Sequence, residues 1–331
     1  MAGPKAGHAT AALRHHLMKY DPLGFPIPAE FVPPDPRDER FFPPRGVVGD
    51  RPRRPEAGRR KRGLLLALVL GGLLPAVLVP GSLPAVREAV VQWSVDRAAV
   101  GEARGRLQAA IGDLDRAIEW TDDAGRLAQL LCWRGMLLIE NGDARGAVAD
   151  ADRAVAVAPT SAQPRRVRAL AQVVLSDADA ALVDAEAAVD LAGESDPEAL
   201  NHRAYIRALV GRDLEEALAD VDRALAAAGS TPEYLDTRGF ILHLLGRQHE
   251  AVDQLNLAID ELQQRRRQLT VLARHADADE VAYRVRSLEQ SLGVMHHHRG
   301  LACRALGLEG QARQDFDEAR RKGYAPERGI F

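Results

Sequence analysis

The chain has 331 residues, 46% hydrophobic, 5% aromatic and 27% charged, with 44 basic against 47 acidic residues. That length allows one or two domains plus tails, and so few aromatics among so many apolar residues suit helices packed through small side chains. Residues 1–62 carry 13 Lys/Arg against 7 Asp/Glu, which leaves residues 63–331 at −9 of a total of −3 and excludes the main body as a nucleic-acid binder, since phosphate contact needs a positive face.

The N-terminal segment, 1–62, holds 11 of the 19 prolines, clustered between Pro22 and Pro55. Such a run cannot form helix or central strand, and the expectation is an extended, disordered, cytoplasmic tail. Its Tyr20, Phe25, Phe31, Phe41 and Phe42 leave two readings open, a solvated spacer and a segment that docks aromatics on a partner. Residues 63–83 follow without a single charge, and their length meets the roughly 20 residues a membrane-crossing helix needs. Pro75 and Pro80 are tolerated better in a membrane helix than in a soluble one. A buried core helix and a cleaved leader are the rival readings; the long segment before the apolar run and the lack of a small-x-small site after it favour an uncleaved anchor. Eight Lys/Arg precede the span within twenty residues, and only Arg87 and Arg97 follow it. The positive side stays inside, so a single-pass protein is expected with its N-terminus cytoplasmic and the rest extracytoplasmic, in the periplasm of a bacterium.

Residues 84–127 form a connector in which Gly105, Ala110 and Ala117 hint at a degenerate repeat. From 128 to 331 the chain repeats at a spacing of 34 to 35 residues. On a 34-residue template beginning at Ala128, Gly135, Gly142, Ala147 and Ala154 occupy positions 8, 15, 20 and 27. The following copies supply Ala169, Ala181 and Ala188, then Ala204, Gly211, Ala217 and Ala224, then Gly239, Gly246, Ala251 and Ala258, and last Gly300, Gly307, Ala312 and Ala319. The second copy has Ser176 where glycine is expected. Each copy reads as two helices with a break between them, small residues letting the backbones approach. One such hairpin cannot cover its own apolar face, so neighbours stack into a solenoid with a concave groove. An insertion between Ala258 and Gly293 keeps helical spacing without proline or glycine, and a projecting antiparallel hairpin at about 259–292 is expected, turning near His275–Asp279.

This pattern resembles the tetratricopeptide repeat (TPR) family, without the usual tryptophan at position 4. The resemblance implies an all-α, right-handed superhelix of five to six repeats and a groove lined by positions 2, 5, 9, 12 and 13. Carried onto this chain, those positions give Met136, Arg166, Leu170, Asn201, Tyr205, Asp236, Phe240, His243, His297, Leu301 and Arg304 as candidate partner-binding residues. Position 9 alone is an apolar stripe of Met136, Leu170, Tyr205, Phe240 and Leu301, either a binding surface or packing between helices. The two-carboxylate clamp of chaperone-binding members is not matched, because Cys132 and Met136 stand where it would begin.

No catalytic signature is present: there is no phosphate-binding glycine loop, nucleophile elbow, HExxH or cysteine pair at metal spacing. No catalytic residue, cofactor or metal is therefore expected. His296, His297 and His298 point about 100° apart on a helix and cannot jointly chelate one ion, so they read as surface or groove histidines. Acid pairs such as Asp113/Asp115, Asp150/Asp152 and Asp220/Asp222 read as solvated outer-face residues. Cys132 and Cys303 lie too many repeats apart for a disulfide and read as core or groove thiols. The function expected is a membrane-anchored interaction scaffold holding a peptide or partner protein in the groove. The alternative is an accessory subunit of a membrane enzyme or of an envelope or cytochrome assembly complex, docked through the tail and the span.

Overall fold

The computed structural model describes residues 82–272 and 278–324, so the tail, nearly all of the expected span, and residues 275–277 of the expected turn lie outside the described residues. Among those described, no helix is long and apolar enough to cross a membrane. The chain divides into two compact units, Met1–Val86 and Arg87–Phe331. Of the first, only residues 82–86 are described, as the opening of a helix.

The second unit is all-helical among its described residues. Its twelve helices, counting the one that begins at Ser82, are α1 (Ser82–Ala103), α2 (Leu107–Trp120), α3 (Ala124–Glu140), α4 (Ala144–Val157), α5 (Gln163–Val174), α6 (Ala178–Ala192), α7 (Pro197–Val210), α8 (Leu214–Ala228), α9 (Pro232–Leu244), α10 (Gln248–Leu272), α11 (Ala278–Ala305) and α12 (Glu309–Arg321). They pair as six consecutive hairpins. Each second helix also packs on the first helix of the next hairpin, and α3, α5, α7, α9 and α11 pack on one another in turn. The first helices thus form one continuous wall, the inner side of a TPR-like solenoid.

The small residues sit where the period puts them. Ala147, Ala154, Ala169, Ala181, Ala188, Ala204, Ala217, Ala224, Ala251 and Ala258 have no accessible surface. Gly239 shows what the spacing is for: a Cβ there would stand 2.6 Å from Leu255 Cγ and 3.2 Å from the Ala251 carbonyl oxygen, so α9 and α10 meet backbone to side chain. Helix starts are fixed by aspartates, with Asp143, Asp177 and Asp196 accepting from the backbone N–H of Gly146, Ala180 and Ala199, which satisfies donors the helix leaves unpaired. The turn position between the helices is left-handed. Gly246 has φ 79° there, and Ser176, which replaces the expected glycine, is held at φ 62°.

The acid pairs correct the expectation of a solvated outer face. Asp113, Asp150, Asp184, Asp220 and Asp315 are all buried, because an arginine on the first helix of the same hairpin reaches each one. Arg134 donates through Nε and Nη2 to Asp150 at 2.7 and 2.5 Å, Arg168 to Asp184 at 2.7 and 2.6 Å, Arg203 to Asp220 at 2.7 Å twice, and Arg299 to Asp315 at 2.9 and 2.6 Å. The remaining Nη1 of each arginine turns to the preceding hairpin: Arg134 to Asp115, Arg168 to Asp152, Arg203 to Glu186 and Arg299 to Asn256. Among the described residues Arg238 makes the backward hydrogen bond alone, to Asp222 at 2.7 Å. In each pair the first acid closes its own hairpin and the second receives the next arginine. The planar five-donor fork of arginine makes this possible where lysine would not. The result is a polar ladder that pins hairpin to hairpin beside a core of small apolar residues.

Candidate functional site

The inner wall carries the candidate groove residues, and the structure divides them. Met136 and Asp236 are buried, whereas Arg304 is exposed and stands over the Phe316 ring at 5.2 Å. Leu170 packs on the core of Ala169, Ala181, Ala185 and Ile206, and Phe240 on the core built from Ala204, Leu242 and Ala302. Leu301 is half-buried. Much of the apolar stripe is therefore packing between consecutive first helices. His243 is engaged at the α9–α10 turn, its Nδ1 donating to Gln248 Oε1 at 2.7 Å.

Two polar and aromatic groupings remain on this wall. One joins α5 to α7, where Arg166 Nη1 donates to Glu198 Oε1 at 2.5 Å and His202 Nε2 donates to the Arg166 carbonyl at 3.1 Å. Within it Asn201 Oδ1, Arg166 Nε and His202 Nδ1 are buried without a hydrogen-bond partner among the described residues. The other runs from α7 to α11. Tyr205 lies 6.5 Å from Phe240, tilted at 59°, and Phe240 stacks on His298 at 4.1 Å and 12°. His298 Nδ1 donates to Asp236 Oδ1 at 2.9 Å. Burial, followed by the Asp236 carboxylate, pushes the Tyr205 phenol well above its ordinary range, so it stays a neutral hydroxyl. Beyond it His297 meets Tyr324 at 4.6 Å and Phe316 at 5.5 Å. Burial first, then His298 and Arg304, lower its pKa to about 4, and it stands as the neutral imidazole at pH 7.

The histidine run also departs from expectation. His297 is half-buried, but His296 and His298 are buried, because opposite faces of α11 meet a carboxylate each: Asp236 for His298 and, at 2.8 Å, Asp315 for His296. Among the described residues no group of three or more potential ligands could hold a metal ion. Cys132 and Cys303 are free and buried. Burial, then Asp150, pushes the Cys132 thiol up to about 12, which makes it inert at neutral pH.

Over residues 281–290 the insertion does not stand free of the array. α10 and α11 are overlong, at 25 and 28 residues, but the extension of α11 reaches the first hairpins of the array. Arg286 Nη2 and Gln290 Nε2 both donate to Glu140 Oε1, at 2.7 and 3.0 Å. A Cβ at Gly105, in the α1–α2 turn, would lie 2.8 Å from Arg286 Nη1. Residues 281–290 are partly buried without exception, where a helix standing in solvent would show an exposed face. Glu140, Arg286, Gln290 and His298 are absent from the candidate partner-binding residues picked out by sequence; Glu140 falls at position 13 of the template and could have been found there, whereas Arg286 and Gln290 lie in the insertion and His298 at position 6, outside the groove set.

No family model matches the chain, and no curated protein matches it. Solved structures similar to it are TPR proteins. One from Parabacteroides merdae is 16% identical, over 72% of this chain and 95% of its own, with a TM-score of 0.43. A thermophilic TPR protein of Thermus thermophilus is 22% identical, over 53% and 90%, at 0.45. YrrB, a TPR protein with an unusual peptide-binding site, is 20% identical, over 50% and 84%, at 0.35. At these scores the architecture rests on the helix pairing described above.

Proposed function

We propose that the chain is a protein-interaction scaffold, anchored in a membrane by residues 63–83, that holds a partner protein or peptide on the wall of first helices. The supporting observation is the grouping on α5 and α7. Asn201 Oδ1 and Arg166 Nε, an acceptor and a donor on neighbouring first helices, are buried without partners among the described residues. Both atoms are closed off although their residues are only partly buried, so in this reading the side chains turn outward on binding, where a peptide backbone supplies the donor and acceptor whose absence costs about 1–3 kcal/mol. Two of the candidate residues picked from the sequence thus carry the groove; the aromatic pair Tyr205 and Phe240 borders them. The scaffold is not an enzyme in this reading, and it uses no cofactor.

A photo-crosslinking residue in place of Asn201, in the full chain and in cells, tests the binding face. Protein partners captured from Asn201 and not from the exposed Arg153 on α4 are expected. Identical captures from both positions, or none from Asn201, would refute the groove. Capture from residues 1–62 alone would favour the accessory-subunit reading. The membrane part is tested by cysteine-accessibility labelling near each terminus of intact cells: label at residue 331 and not at residue 1 is expected, and the reverse overturns the orientation.

A further inference from the structure

The first two hairpins present two unlike edges. Helices alternate in direction through the hairpins, so every second helix ends on the edge where the next first helix begins. On that edge Trp120 closes α2 and Val157 closes α4. Each stands three residues after a buried alanine, Ala117 or Ala154, and both are exposed. No charge lies between Arg153 and Arg165, and Ala156, Pro159 and Thr160 are exposed beside Val157. Glu119 apart, the charges at the α2–α3 junction are engaged: Arg87 donates to Asp122, Arg126 to Glu88 and Gln92, and Asp123 caps α3. The opposite edge of the same hairpins exposes Arg104, Arg106, Asp143 and Arg145.

The edge poor in charge is also where α1 begins. That helix runs unbroken from Ser82 to Ala103, and the uncharged residues 63–83 overlap its first turn. The bond from Arg87 to Asp122 sets the α2–α3 junction level with a residue four positions, or roughly 6 Å along the axis, beyond Leu83. We propose that this edge rests on the lipid bilayer, with Trp120 in the headgroup layer and Val157 beside it, so that the array stands on the membrane instead of swinging from its anchor. This rests on the reading of residues 63–83 as that anchor. An indole ring with an apolar body and one N–H suits the boundary between lipid and water. The contact is apolar and needs no anionic lipid. Leu191 continues the row on α6, but Asp190, Glu194 and Asp196 surround it, which confines the footing to the first two hairpins. The footing fixes the height at which the inner wall meets a partner.

Single labelled cysteines in the full chain, reconstituted in phosphatidylcholine vesicles, test this. Cys132 and Cys303 are buried and leave the introduced thiol to react alone. A fluorophore at Ala156→Cys should lose about half its emission to lipid carrying a headgroup nitroxide, and one at Arg145→Cys almost none. The two positions are opposite ends of α4, roughly 16 Å apart at 1.5 Å per residue, so aggregation cannot quench one alone. Adding Trp120→Glu should at least halve the quenching at 156 while the chain still resists carbonate extraction. Equal quenching at both positions, or none at 156 in a chain that stays integral, overturns the proposal and leaves the anchor standing. A label at 156 shielded in native membranes but unquenched in the vesicles also overturns it, because a protein then covers the edge. Release of the chain by carbonate would sink the anchor and this footing together, whereas the Asn201 crosslink decides the groove independently.

Discussion

Removing one arginine of the ladder should cost more than its partly exposed position implies. Both hydrogen bonds to Asp150 in the described structure come from Arg134, and Asp150 is only 4% exposed. Arg134→Met would keep the aliphatic stem and strand a buried carboxylate, which costs about 3–5 kcal/mol in a fully buried pair. The Arg134 side chain is 15% exposed, so water reaches the site once the guanidinium is gone, and about 2–4 kcal/mol is expected. The same change cuts the link to Asp115 on α2, so the loss should extend to the neighbouring hairpin. Solenoids unfold by segments, and site-resolved hydrogen exchange of residues 107–157 is the suitable assay. At a factor of ten for each 1.4 kcal/mol, protection should fall by about 30-fold or more. Arg153→Met, on the exposed face of α4, is the control. Arg134→Met/Asp150→Leu should recover much of the loss, since an apolar replacement of both partners leaves no charge to bury. An effect of Arg134→Met no larger than the control, or a double variant worse than the single, would refute the claim that the ladder holds the hairpins together.

Ser176→Gly should stabilise the α5–α6 hairpin by about 0.5–1 kcal/mol in a denaturant titration, because the left-handed backbone at φ 62° is strained for a residue with a Cβ. Gly239→Ala should destabilise by about 1–3 kcal/mol despite the better helix propensity of alanine, since its Cβ would meet Leu255 at 2.6 Å; an unchanged thermal transition would disprove the close approach of α9 and α10. For His297 the pKa falls from 6.5 to about 4 on folding. Between those values the unfolded chain holds a proton the folded one lacks, so stability should drop as pH falls from about 6.5 to 4, by at most about 3 kcal/mol. His297→Gln should reduce that slope, and buried His202, whose pKa is also lowered, should account for what remains.

The period of the sequence determined a good deal of this protein. Positions 8, 20 and 27 were legible because tight helix packing admits only glycine or alanine, and those residues are buried in the register they announced. Ser176 was legible as an exception, and its backbone is left-handed where the other turns have glycine. The groove positions came from the resemblance to the tetratricopeptide repeat family and not from the spacing itself. What those positions do was not legible, because Leu170 and Phe240 are taken up by the next first helix and Arg166 and Asn201 are not fully satisfied by it. Only the tertiary structure decided the rest. An arginine and an aspartate 16 residues apart are one unit only once a hairpin folds them together, so the acid pairs looked like ordinary surface charge. The meeting of Arg286 with Glu140 depends on how far the superhelix has turned over four repeats. Small rotations from each interface accumulate into that angle, and no local pattern in the chain encodes it.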